Sequence, residues 1–168
     1  MAHFDKAIPP GGEGKIKLSI RTRGYQGAIQ KSAKVYTNDP KNPLTRLSLK
    51  AFVKVPIYLS SRYVYLYGKE GEAITRVIEV RAELDRPLTL TPYQFNLAEK
   101  LIYSIEEIEP GKRFRIHFKT IPTSPQTYRG LLKLKTNYPE KPEITLWIRG
   151  RVQGTAPARK QAPGQVQK

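Results

Sequence analysis

Ile108-Glu109-Pro110-Gly111-Lys112-Arg113-Phe114-Arg115-Ile116-His117-Phe118-Lys119-Thr120 sets a Pro-Gly turn signal in front of a strict alternation of apolar and polar residues. Phe114, Ile116 and Phe118 fall on one face of the strand this predicts, and Arg113, Arg115, His117 and Lys119 on the other. A two-residue period with one apolar face marks a half-buried antiparallel strand. The same order of signals occurs earlier in the chain. Ile8-Pro9-Pro10-Gly11 precedes Ile16, Leu18 and Ile20, which alternate with Lys15, Lys17, Ser19 and Arg21, and the two strands close on Thr22 and Thr120.

Working outward, Tyr25-Gln26-Gly27 pairs with Tyr128-Arg129-Gly130, and Thr37-Asn38-Asp39-Pro40 with Thr136-Asn137-Tyr138-Pro139. Asn followed closely by Pro marks a tight connection, because Asn tolerates left-handed backbone while Pro fixes φ and cannot donate to a ladder. The strands after these turns also correspond: Leu47, Leu49, Ala51 and Val53 match Leu146, Ile148, Gly150 and Val152 at a constant offset of 99.

Only the second copy has a front half. Ile57 to Leu59, Arg62 to Tyr67, Ile74 to Glu83 and Leu88 to Thr91 read as strands, whereas Glu99 to Glu107 reads as room for one short turn. With the three repeated strands this makes about seven short strands in roughly 100 residues, the pattern of an immunoglobulin-like sandwich. Ile78, Val80, Phe114, Ile116, Phe118, Leu132, Leu134, Leu146 and Ile148 are its expected core. The chain is thus expected to be all-β, with tandem immunoglobulin-like β-sandwiches of which the N-terminal one is incomplete. Met1 to Val53 would be the C-terminal half of one domain, its facing strands supplied by upstream residues or a partner. Lys54 to Gln153 would be a complete sandwich, and Gly154 to Lys168 a disordered tail poor in aromatic and β-branched residues. Lys54-Val55-Pro56 is too short for a flexible tether.

The formal charge of +16 is spread rather than gathered in an arm: ten basic residues against three acidic in Met1 to Val53, and seventeen against eleven in Lys54 to Gln153. A distributed excess favours acidic partners without selecting one. The chain has no cysteine, which removes disulfides, thiolate metal sites and cysteine nucleophiles. No stretch approaches the roughly 20 apolar residues of a transmembrane helix.

The block Ile-x-Pro-Gly, alternating strand, Thr-Asn-Asp-Pro, x-x-Pro and Leu-x-Leu-x-Ala/Gly-x-Val resembles a bacterial family of immunoglobulin-like domains of unknown function, akin to major sperm protein domains. The resemblance covers Ile8 to Val53 closely and Pro56 to Val152 more loosely. The Cys-Gly-Cys sequence frequent in that family is absent. The resemblance implies a sandwich fold, no catalytic residues and an envelope protein. That would be periplasmic or cell-surface with an upstream signal peptide, and cytoplasmic without one.

Candidate chemistry is sparse. His3 and His117 lack a nucleophile or orienting carboxylate nearby in sequence, so a non-catalytic role is expected. Gly11-Gly12-Glu13-Gly14 precedes a strand and lacks the Lys-Ser/Thr of a phosphate loop. Glu106, Glu107 and Glu109 need not converge on a cation, and neither metal nor cofactor is expected. Two surface patterns stand out. Lys133 and Lys135 alternate with Leu132 and Leu134, while Trp147, Arg149 and Arg151 alternate with Leu146, Ile148 and Val152. Paired, these strands would set four cations around the only tryptophan, able to hold polyanions or bases, or simply to solvate a strand surface. Tyr63, Tyr65 and Tyr67 form an aromatic stripe suited to a partner contact or to cross-strand packing. The expected function is a structural or protein-interaction module of the bacterial envelope that meets a protein or an envelope polyanion, with nucleic-acid or polyanion binding as the alternative.

Overall fold

Both Pro-Gly signals form turns. In the second, the Lys112 N–H donates to the Glu109 carbonyl at 2.9 Å and Gly111 takes φ +65°. Pro at the second position and a left-handed residue at the third are the requirements of a type II turn. A Cβ on Gly111 would also stand 2.6 Å from Pro87 Cβ, so glycine is required twice over. In the first, the Gly12 N–H donates to the Pro9 carbonyl at 2.9 Å and Gly11 takes φ +76°.

The computed structural model describes residues 2–5, 7–9, 11–122 and 124–154. Apart from Gly154, the expected tail lies outside them. The described residues are all-β and form no helix, so none is long and apolar enough to cross a membrane. The chain divides into two compact units, Met1–Val55 and Pro56–Lys168.

The second unit is a β-sandwich. Its strands are β5 (Ile57–Leu59), β6 (Tyr63–Lys69), β7 (Thr75–Ala82), β8 (Leu90–Phe95), β9 (Leu101–Glu109), β10 (Arg113–Thr120), β11 (Gln126–Thr136) and β12 (Glu143–Gln153). They form two four-stranded sheets, ordered β5-β7-β10-β9 and β6-β12-β11-β8. All neighbours are antiparallel except β6 and β12, which run parallel. One cluster of buried side chains from both sheets fills the interior, and all nine residues expected in the core belong to it. Tyr138, fully buried, donates its hydroxyl to the Arg86 carbonyl and so ties the β11–β12 turn to the chain before β8.

The first unit contains two separate ribbons. β1 (Ala2–Phe4) pairs with β2 (Ile16–Leu18), and β3 (Gly27–Tyr36) with β4 (Leu44–Val53). Ile29, Val35, Leu47, Leu49 and Val53 share one face of the β3–β4 ribbon and are only half-buried. No described residue of this unit is buried. The hairpins β3–β4 and β11–β12 nevertheless have the same register. Ile29 faces Ala51 as Tyr128 faces Gly150, and Ala33 faces Leu47 as Leu132 faces Leu146, each displaced by 99 residues. Their turns share hydrogen bonds as well: Thr37 Oγ1 accepts from the Asp39 N–H and donates to the Asn42 carbonyl, and Thr136 Oγ1 does the same with Tyr138 and Lys141.

Four expectations are corrected. An eighth strand, β9, occupies most of the segment read as a turn. Only Ala98 to Lys100 turns, and Leu101, Tyr103 and Ile105 then point inward. β8 runs beyond Thr91 through Pro92 because it is an edge strand, where the missing N–H costs no ladder bond, and its register shifts there. The strand expected over Lys15 to Thr22 shortens to β2, since its ladder extends only as far as β1 lies beside it. Finally, Tyr25-Gln26-Gly27 and Tyr128-Arg129-Gly130 are not equivalent. Gly27 opens β3 with φ +72°, whereas Gly130 lies inside β11 opposite Ile148.

Candidate functional site

Strand parity sends Leu146, Ile148 and Val152 of β12 inward and leaves Trp147, Arg149 and Arg151 on the outer face of the sheet. β6 has the same alternation, with Val64 and Leu66 buried beneath Tyr63, Tyr65 and Tyr67. Because β6 runs parallel to β12, the two outward sets lie side by side in register: Tyr63 beside Trp147, Tyr65 beside Arg149, Tyr67 beside Arg151. The two patterns found separately in the sequence therefore form one surface. The four rings are 47%, 40%, 57% and 49% exposed for Tyr63, Tyr65, Tyr67 and Trp147. Tyr63 and Tyr65 stack with centroids 6.1 Å apart, and Tyr65 and Tyr67 follow at 5.7 Å.

The cations are arranged differently from expectation. Lys133 and Lys135 do share the outer face, but they stand opposite Thr145 and Glu143. Lys133 Nζ lies 3.8 Å from Glu143, and both lysines sit over the Tyr93 ring, at 6.0 and 5.2 Å. Glu143 also accepts the Tyr93 hydroxyl, which with Thr145 lowers the carboxyl pKa and raises that of Tyr93. The charge at this end is thus partly neutralised. Leu131 is the residue opposite Trp147, and Arg129 the one opposite Arg149. Arg129 was missed in the sequence, although it shares the outward parity of Leu131, Lys133 and Lys135.

Among the described residues no carboxylate makes an ion pair with Arg129, Arg149 or Arg151; the ion pairs involve Arg81, Arg86, Arg115, His117 and Lys133 instead. Like charges directly opposite across a ladder are destabilising. The Arg129–Arg149 pair therefore costs the fold something that a bound anion would offset. Together with Tyr67, the three arginines border an open cleft of about 610 Å³ whose lining also includes Lys69 and one acidic residue, Glu72.

The other candidates resolve simply. His117 Nε2 lies 2.9 Å from a Glu106 carboxylate oxygen, a partner brought by the neighbouring strand and hence invisible in local sequence. Glu107 instead accepts the Gly111 N–H, so the glutamates turn to different tasks. Among the described residues no group of three or more His, Cys, Asp or Glu side chains could hold a metal ion. No protein-family model matches the chain, and no curated protein matches it in sequence.

Proposed function

We propose that the chain is a non-catalytic interaction module that docks an acidic macromolecule on the outer face of the β6-β12-β11-β8 sheet. The observation that carries this reading is the registered β6–β12 pairing, which gathers four exposed rings and the guanidiniums of Arg149 and Arg151 on one face, with no ion pair from a described carboxylate to either. Tyr, Trp and Arg are the residues that dominate binding energy at interfaces, since they combine large rigid area with directed hydrogen bonding. The equal register of the two hairpins supports reading the first unit as half of a second immunoglobulin-like sandwich. The resemblance to bacterial immunoglobulin-like domains supports an envelope location, periplasmic or cell-surface.

Heparin, a polymer dense in negative charge, provides the test. Reversing Arg149 and Arg151 to Glu is expected to weaken heparin binding at least about 10-fold more than reversing Lys15 and Lys17, and the difference should shrink in high salt. Equal losses at the two places would reduce the site to diffuse charge and refute the docking face.

A further inference from the structure

Resting on that docking reading, we infer that the ligand of this face is single-stranded nucleic acid. The face separates two chemistries into adjacent parallel rows. One is the row of tyrosines Tyr63, Tyr65 and Tyr67 on β6. The other is on β12, where Trp147 stands beside Tyr63 and is followed by the guanidiniums Arg149 and Arg151, with Arg129 opposite Arg149 on β11. A ligand matching this pattern carries anionic groups along one side and planar apolar groups along the other, at regular intervals. Unpaired nucleotides do so: the phosphates follow the cations while the bases lie on the rings. An acidic protein would need no such separation, and a ring-free polyanion would leave the aromatic row unused. A duplex fits less well, because its stacked bases hide the faces the rings would contact.

The rings are also held ready. Val64 and Leu66 are buried beneath the tyrosines and Ile148 beneath the Trp147 strand, so the platform rests on the sandwich core rather than on a loop. Arg129, Arg149 and Arg151 make no ion pair with a described carboxylate and so offer three charges to phosphates, and guanidinium planes add stacking of their own.

Trp147 is the only tryptophan in the chain, so its emission reports on this face alone. The full chain would be titrated with oligothymidylate of about 12 nucleotides, within the site sizes usual for such surfaces. Matched titrations would use a duplex and inorganic polyphosphate of equal charge. Saturable quenching by the single strand is expected, with tighter binding than to either comparator. Neutralising three phosphates gives a log–log salt slope near −2, or a loss of roughly 20-fold between about 50 and 200 mM salt. Trp147→Ala and Tyr65→Ala, followed by labelled oligonucleotide, should each weaken binding by about 5- to 100-fold, with Trp147→Phe retaining most of it. Both side chains are exposed, and an unchanged melting temperature would establish that the variants fold.

If polyphosphate binds as tightly as the single strand and the aromatic variants bind normally, the nucleic-acid inference is overturned while the acidic docking face stands. Preference for the duplex likewise overturns it. If no polyanion binds, the docking reading falls as well.

Discussion

Tyr128 shows how one side chain can work against the fold that holds it. Its ring lies over Gly150, where an added Cβ would stand 1.9 Å from Tyr128 Cζ, and the residue is only 8% exposed. Its buried hydroxyl has no hydrogen-bond partner among the described residues, and burial raises its pKa above the usual tyrosine value of 10.0. A buried polar group left unmet costs about 1–3 kcal/mol. Tyr128→Phe removes that group while keeping the ring, and should stabilise the second unit by about 1 kcal/mol, raising its melting temperature by roughly 4–8 °C. The sign of the pH dependence follows from the raised pKa: the protonated phenol's contribution is fully present below the unfolded pKa and is lost as pH rises through the folded one. The stability difference between variant and parent should therefore widen above about pH 10. A calorimetric scan showing Tyr128→Phe less stable than the parent would mean that the hydroxyl is in fact satisfied.

At the scale of elements, β6 raises the problem of an open edge. Among the described strands it pairs only with β12, and an edge with no strand neighbour is a template for a foreign strand. Three side chains cover part of that edge, one of them Glu72, which accepts the Lys69 N–H at 3.0 Å. Ser61 Oγ bonds both the N–H and the carbonyl of Tyr63, and Arg76 of β7 donates from Nε to the Tyr65 carbonyl at 3.0 Å. Arg76→Ala should uncover the edge directly beside the exposed tyrosines and increase concentration-dependent self-association, with little change in melting temperature. Sedimentation velocity at matched concentrations would test this, and a variant no more associated than the parent would remove the guarding role.

The same scale explains what could be read from sequence. Strands with strict alternation, such as Arg113 to Thr120, declared both their existence and their buried face. β9 was hidden because Glu106, Glu107 and Glu109 depress strand propensity, and a register shift near its end breaks the period. β8 was cut short by Pro92, whose tolerance depends on edge position, a property of the sheet rather than of the segment. The candidate site was half legible. Parity identified the outward residues on each strand, but the adjacency of the tyrosine row to the arginine row depends on the parallel β6–β12 pairing, a contact between strands distant in sequence.

At the scale of the whole molecule, the chain contains its own controlled comparison. Hairpins β3–β4 and β11–β12 share register and turn hydrogen bonds, so local structure does not distinguish them. Their surroundings do. Leu132, Leu134, Leu146 and Ile148 are fully buried beneath a second sheet, whereas Ala33, Val35, Leu47 and Leu49, their counterparts at an offset of 99, are half-exposed. Burying one such aliphatic side chain contributes about 1.5–3 kcal/mol, and an uncovered two-stranded ribbon is marginal in water. The ribbon's own charges add no cohesion, since Lys31, Lys34, Arg46 and Lys50 are accompanied by no acidic residue in either strand. Amides of Ile29 to Val35 and Leu47 to Val53 should accordingly exchange at least about 100-fold faster than those of β11 and β12, because local opening is limited by the apolar surface it exposes. Hydrogen exchange over a range of protein concentrations separates the outcomes. Slow exchange that strengthens with concentration would mean that another copy covers the ribbon. Protection equal to that of β11 and β12 at every concentration would show the first unit to be self-sufficient and overturn the prediction.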